Sequence, residues 1–145
     1  MKRLITATVL ALAAAAATAQ GTPAGVWKTI DDETKIEKSL IRITDSAGVF
    51  TGRIEKLLTD KPDATCTECT DERKGKPVQG MTILRNVKAD PEDKGTWQGG
   101  DILDPNNGKV YKVRLKTVDA GKKLEVRGYI GTPLLGRTQT WLRVE

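Results

Sequence analysis

Between Trp97 and Ile130 the chain runs through three extended segments divided by two turn signals, and this stretch restricts the fold more than any other. From Val110 onward Tyr111, Val113 and Leu115 alternate with Lys112, Arg114 and Lys116, the period of two expected of a strand with one wet face. Asp104-Pro105-Asn106-Asn107-Gly108 before this run, and Asp119-Ala120-Gly121 after it, are turn compositions that a strand cannot absorb. Beyond the second turn Leu124, Val126, Gly128 and Ile130 alternate with Lys123, Glu125, Arg127 and Tyr129. Turns this short join antiparallel neighbours, because a parallel crossover needs roughly a dozen residues or more.

The same reading extends over the rest of the chain. Gly25-Val26-Trp27 opens a strand that ends at Thr29 or Ile30, where Asp31-Asp32-Glu33-Thr34 breaks it. Residues 38–44 set Ser39, Ile41 and Ile43 against Leu40, Arg42 and Thr44, and Ser46-Ala47-Gly48 turns the chain into residues 49–58. There Phe50, Gly52 and Ile54 share a face, with Gly52 marking a bulge or a close bend. Residues 80–85 and 137–144 read as further strands. About eight antiparallel segments suit an all-β, up-and-down barrel, although a two-sheet sandwich leaves nearly the same local pattern.

Residues 1–19 are expected to form a signal peptide rather than part of the fold. Lys2 and Arg3 precede an apolar run from Leu4 to Ala17, and Ala17-Thr18-Ala19 supplies small residues for cleavage. A retained anchor is the alternative. Cleavage places residues 20–145 in the periplasm or outside the cell as a single domain, with no integral membrane insertion. Loss of Lys2 and Arg3 lowers the formal charge from +5 to +3. The remaining bases are interspersed with acids, so no nucleic-acid footprint is expected.

Cys66-Thr67-Glu68-Cys69 lies in the longest connection, between Thr59 and Gln79. In an exported chain a structural disulfide is the expected state, and a redox-active pair or a thiolate metal site is the alternative. With no histidine and no second cysteine pair, neither a closed four-thiolate zinc site nor a Ser-His-acid or Cys-His constellation can form in the monomer. Asp101 and Asp104, and the cluster Asp31, Asp32 and Glu33, read as turn and surface carboxylates. Gly99-Gly100 lacks the spacing of a phosphate loop and suggests close backbone packing instead. No catalytic residue, metal site or cofactor is therefore expected.

The segments GVWKTIDDETK, CTECTDERKGKPVQG, WQGGDILDPNNGKVYKVRL and VRGYIGTPLLGRTQTWLR resemble the DUF2147 family of exported bacterial proteins. The resemblance covers essentially all of the chain after the leader, and it implies a lipocalin-like β-barrel. Gly25-Val26-Trp27 also resembles the Gly-x-Trp signature of lipocalin-type barrels, in which the tryptophan packs near the closed end under a late arginine; Arg143 or Arg137 could supply that cover. The resemblance implies noncatalytic binding of a small, partly apolar or anionic ligand. Trp97, Tyr111, Tyr129 and Trp141 would then surround an apolar mouth, and Arg114, Arg127 or Arg137 would orient a carboxylate. The alternative is a structural module with a filled core that docks an envelope protein, and an enzyme ranks third.

Overall fold

The computed structural model describes residues 21–145, so the expected leader lies outside the described residues. Eight strands follow one another: β1 (Gly25–Ile30), β2 (Glu37–Ser46), β3 (Val49–Leu57), β4 (Thr82–Ala89), β5 (Thr96–Leu103), β6 (Val110–Val118), β7 (Lys123–Tyr129) and β8 (Gly136–Arg143). Each pairs antiparallel with the next, and β8 returns to β1 to close an up-and-down barrel. Closure decides between the two architectures that the sequence pattern left open, since a sandwich would leave β1 and β8 as edges.

The seam is short. Only Trp27 with Arg143 and Lys28 with Leu142 are in register between β1 and β8. The C-terminal residues extend it, with Val26 N donating to Glu145 O at 2.8 Å and Val144 N to Val26 O at 2.8 Å.

Strand periodicity sets what faces inward. On β2, Ser39, Ile41 and Ile43 are buried, and on β6 and β7 the buried set is Val113, Leu115, Leu124 and Val126. Strands crowd one another at two places where side chains are missing. A Cβ on Gly52 would lie 2.8 Å from the Leu84 Cβ, and one on Gly100 would run into the carbonyl of Arg85. Register shifts fall at both places, between Phe50 and Arg53 against β4 and between Trp97 and Gly100 against β6. β4 runs past the expected residues 80–85 because Asn86, at φ 60°, takes up the local distortion and the ladder resumes at Lys88 and Ala89.

The long β3–β4 connection is folded as a strap. Cys66 and Cys69 form a disulfide with Cα atoms 5.4 Å apart, and both residues are buried. The Arg73 guanidinium grips the Asp71 carboxylate through Nε at 3.1 Å and Nη2 at 2.5 Å, while its Nη1 donates to Thr82 O at 2.9 Å, fixing the strap to the start of β4. Those bonds hold the Asp71 carboxyl down at about 2, from an ordinary 3.8.

Candidate functional site

The two ends of the barrel are built differently. At one end, formed by the β2–β3, β4–β5 and β6–β7 turns and both ends of the described chain, Trp27 is fully buried. Its indole N–H donates to Pro23 O at 2.8 Å. The Arg143 guanidinium lies 4.2 Å from the ring centroid and donates to Gly121 O, Ala24 O and Thr22 O at 2.6, 2.9 and 2.8 Å. Burial pulls this guanidinium below its ordinary value, and the three carbonyls and the indole face take the place of a counter-ion. Gly25 completes the arrangement, because a Cβ there would meet Arg143 Nη1 at 2.6 Å. Arg143, and not Arg137, covers the tryptophan. Nearby, Phe50 and Trp97 pack edge to face with centroids 6.2 Å apart.

The opposite end opens. A cavity of about 1020 Å³ enters the barrel between the β1–β2, β3–β4, β5–β6 and β7–β8 connections. Its wall is graded along the strands. On β7 and β8 the facing inward pairs run from Leu124 and Trp141, through Val126 and Gln139, to Gly128 and Arg137 at the mouth. On β1 and β2 they run from Trp27 and Ile41 to Thr29 and Ser39. Apolar surface therefore lines the depth, uncharged polar groups come next, and charge appears only at the rim.

The polar groups of the wall bond to one another. The Thr29 and Ser39 hydroxyls are 2.6 Å apart, the Trp141 indole N–H reaches Gln139 Oε1 at 3.5 Å, and Asn107 Nδ2 donates to the Tyr111 hydroxyl at 3.2 Å. At the rim Arg137 meets Asp32 at 3.4 Å and Lys38 meets Asp31 at 3.8 Å. Backbone N–H groups of Glu33 and Thr34 donate to Asp31 Oδ1, each at 2.9 Å, and with Lys38 hold that carboxyl below the usual range. The disulfide strap forms one side of the mouth: Ala64 and Thr65 line it, and Cys66 Sγ lies 3.7 Å from the carbonyl of Pro105, which lines it too.

Of the aromatic and basic residues singled out from sequence, the structure brings Tyr111, Tyr129, Arg137 and Trp141 to this one cavity. Trp97 lies deeper, against Phe50. Arg114 and Arg127 are cross-strand neighbours on the outer face, beside a separate shallow cleft of about 280 Å³. Asp93 and Asp90 hold Arg114 at 3.4 and 3.7 Å, and Arg127 donates to Pro133 O at 2.6 Å and to the Thr138 hydroxyl at 2.7 Å. Thr29, Ser39 and Gln139 were not singled out from sequence. The available signal was parity, since Gln139 is two residues from Trp141 and must share its face.

Among the described residues, no group of three or more Cys, Asp or Glu side chains is arranged to hold a metal ion, and no helix is long and apolar enough to cross a membrane. Four apolar residues stand out from the mouth: Ile36, Ile130, Leu134 and Leu135 are 60, 62, 89 and 74% exposed.

The barrel is similar to a solved structure, protein HP1028 from the human pathogen Helicobacter pylori, described as belonging to the lipocalin family. The TM-score is 0.71 at 18% identity, with 84% of this chain and 82% of that one covered. Among curated protein sequences none matches this chain significantly. The family model for an uncharacterised protein conserved in bacteria, DUF2147, matches residues 25–143. With the strand order closed on itself and that match spanning β1 to β8, the chain belongs to the DUF2147 family and folds as a lipocalin-like barrel.

Proposed function

We propose that this protein binds a small, partly apolar molecule in the open end of its barrel and does no chemistry on it, and that it does so in the periplasm or outside the cell. The observation that carries the reading is the cavity of about 1020 Å³ with Ile41, Ile54, Val126 and Trp141 in its wall. That volume is at the upper end of the roughly 300–1,000 Å³ usual for ligand pockets. Enclosing an apolar tail contributes about 0.8 kcal/mol per buried CH2 before the costs of association. The location rests on the leader-like sequence of residues 1–19 and on the Cys66–Cys69 disulfide, which an oxidising compartment preserves.

The test is titration with the apolar dye N-phenyl-1-naphthylamine. The wild-type protein should bind it saturably at one site, and Gln139→Trp, which places an indole in the cavity from an accessible wall position, should abolish that binding while leaving thermal unfolding nearly unchanged. Absent binding, or binding that Gln139→Trp does not alter, would overturn the reading.

A second reading, a module that docks an envelope protein, draws on Leu134 and Leu135, which are 89 and 74% exposed among the described residues. Cell fractionation separates the two. Release from the envelope by Leu134→Ser with Leu135→Ser, in a protein that binds no dye, would favour docking.

A further inference from the structure

We propose that the chamber selects an apolar tail carrying a neutral, hydrogen-bonding head, such as an alcohol or amide, and discriminates against a carboxylate. This deepens the ligand reading above and rests on it. The order of groups along the wall is what points to it: beyond the apolar depth, the first polar groups a head would meet are Thr29, Ser39 and Gln139, all uncharged. Each can both donate and accept, and Gln139 is exposed where it faces the chamber.

The charges come later, at the rim, and two of the three cations there are already paired. Arg137 is occupied by Asp32 and Lys38 by Asp31. Around the whole mouth the carboxylates of Asp31, Asp32, Asp60 and Asp104 outnumber the cations of Lys38, Lys61 and Arg137. An anionic head would have to displace an aspartate from its cation, or shed water beside a rim of net negative charge, and either step costs more than leaving the anion in solution. Arg114 and Arg127 offer no help, because they face the outside of the wall. A cationic head finds charge of the right sign at the rim, but must lose its hydration to reach polar groups that hold no charge to replace it. A neutral head loses only hydrogen bonds to water, which Thr29, Ser39 and Gln139 can replace.

The experiment displaces N-phenyl-1-naphthylamine from the full chain at pH 7 with 1-decanol, decanoate and decylammonium, each below its micelle concentration. Decanol should compete at least about tenfold better than either ion. Asp32→Asn, which frees Arg137, should improve decanoate severalfold and leave decanol within about twofold. Decanoate or decylammonium competing as well as decanol would overturn the selectivity, as would dye binding that none of the three reverses, and both results would leave the chamber standing. Failure of the dye itself to bind would remove the chamber and the selectivity together.

Discussion

The closed and open ends of this barrel solve opposite problems with the same strands. At the closed end an indole is buried to the last atom, its N–H is bonded, and an arginine ties three backbone carbonyls from two separate segments of the chain. At the open end the inward positions of those strands shrink or turn polar, two ion pairs sit on long side chains at the rim, and leucines stand in water. The difference leads us to expect that stability is concentrated at one pole, which frees the other to keep a void that a packed core would have filled. Substitutions at the two poles should therefore separate, with the closed end governing unfolding and the open end governing binding.

The largest effect is expected from Trp27→Ala, about 3–5 kcal/mol of stability lost in chemical denaturation, from the missing side chain and the cavity it leaves. Dye affinity per folded molecule should be unchanged, and a selective loss of binding would blur the division of labour. Next comes Arg143→Ala, at about 2–3 kcal/mol, since it removes the stacked cation and leaves three carbonyls short of a donor. Arg143→Lys should recover little, because an ammonium cannot reproduce the planar fork.

Removing the disulfide by Cys66→Ala with Cys69→Ala should cost roughly 2 kcal/mol from the chain-entropy argument for so short a loop. Unlike the first two changes it lies beside the mouth, so dye affinity should fall as well. The smallest effect concerns acid. The folded Asp71 carboxyl titrates at about 2, below its ordinary 3.8, so its contribution is complete above that ordinary value and is lost as pH falls through about 2. Unfolding curves taken between pH 4 and pH 2 should show this decline in the wild-type protein and less of it in Asp71→Asn.

Strand content was legible because hydrophobic alternation is local: the faces of β6 and β7 can be read directly from Tyr111 to Leu115 and from Leu124 to Gly128. The turns were legible for the same reason, and so were the bulge at Gly52 and the backbone crowding at Gly100, where a side chain would collide. Closure was not, because it depends on the β1–β8 seam, a pairing between the two ends of the chain held by few residues. The cysteine clip could be read from spacing and compartment, but the grip of Arg73 on Asp71 and Thr82 could not, since its meaning lies in where the strap lands.

The candidate site shows the limit most clearly. Chemical type drew attention to arginines and aromatics, yet strand parity sends Arg114 and Arg127 outward, while Arg137, ten residues beyond Arg127 and across an irregular loop, comes inward opposite Gly128. Alternation fixes faces only relative to one another within a strand; the buried residues settle which face is the chamber. Thr29, Ser39 and Gln139 carry no signal of their own, and only the order of the strands brings them to one side of the chamber.

The most direct test is methyl and indole NMR of the full chain during dye titration. Shifts concentrated at Ile41, Ile54, Val126 and Trp141, with Trp27 and Val113 still, would place the ligand in the open end as the account predicts. Shifts confined to Leu134 on the exterior, or none at saturating dye, would contradict it.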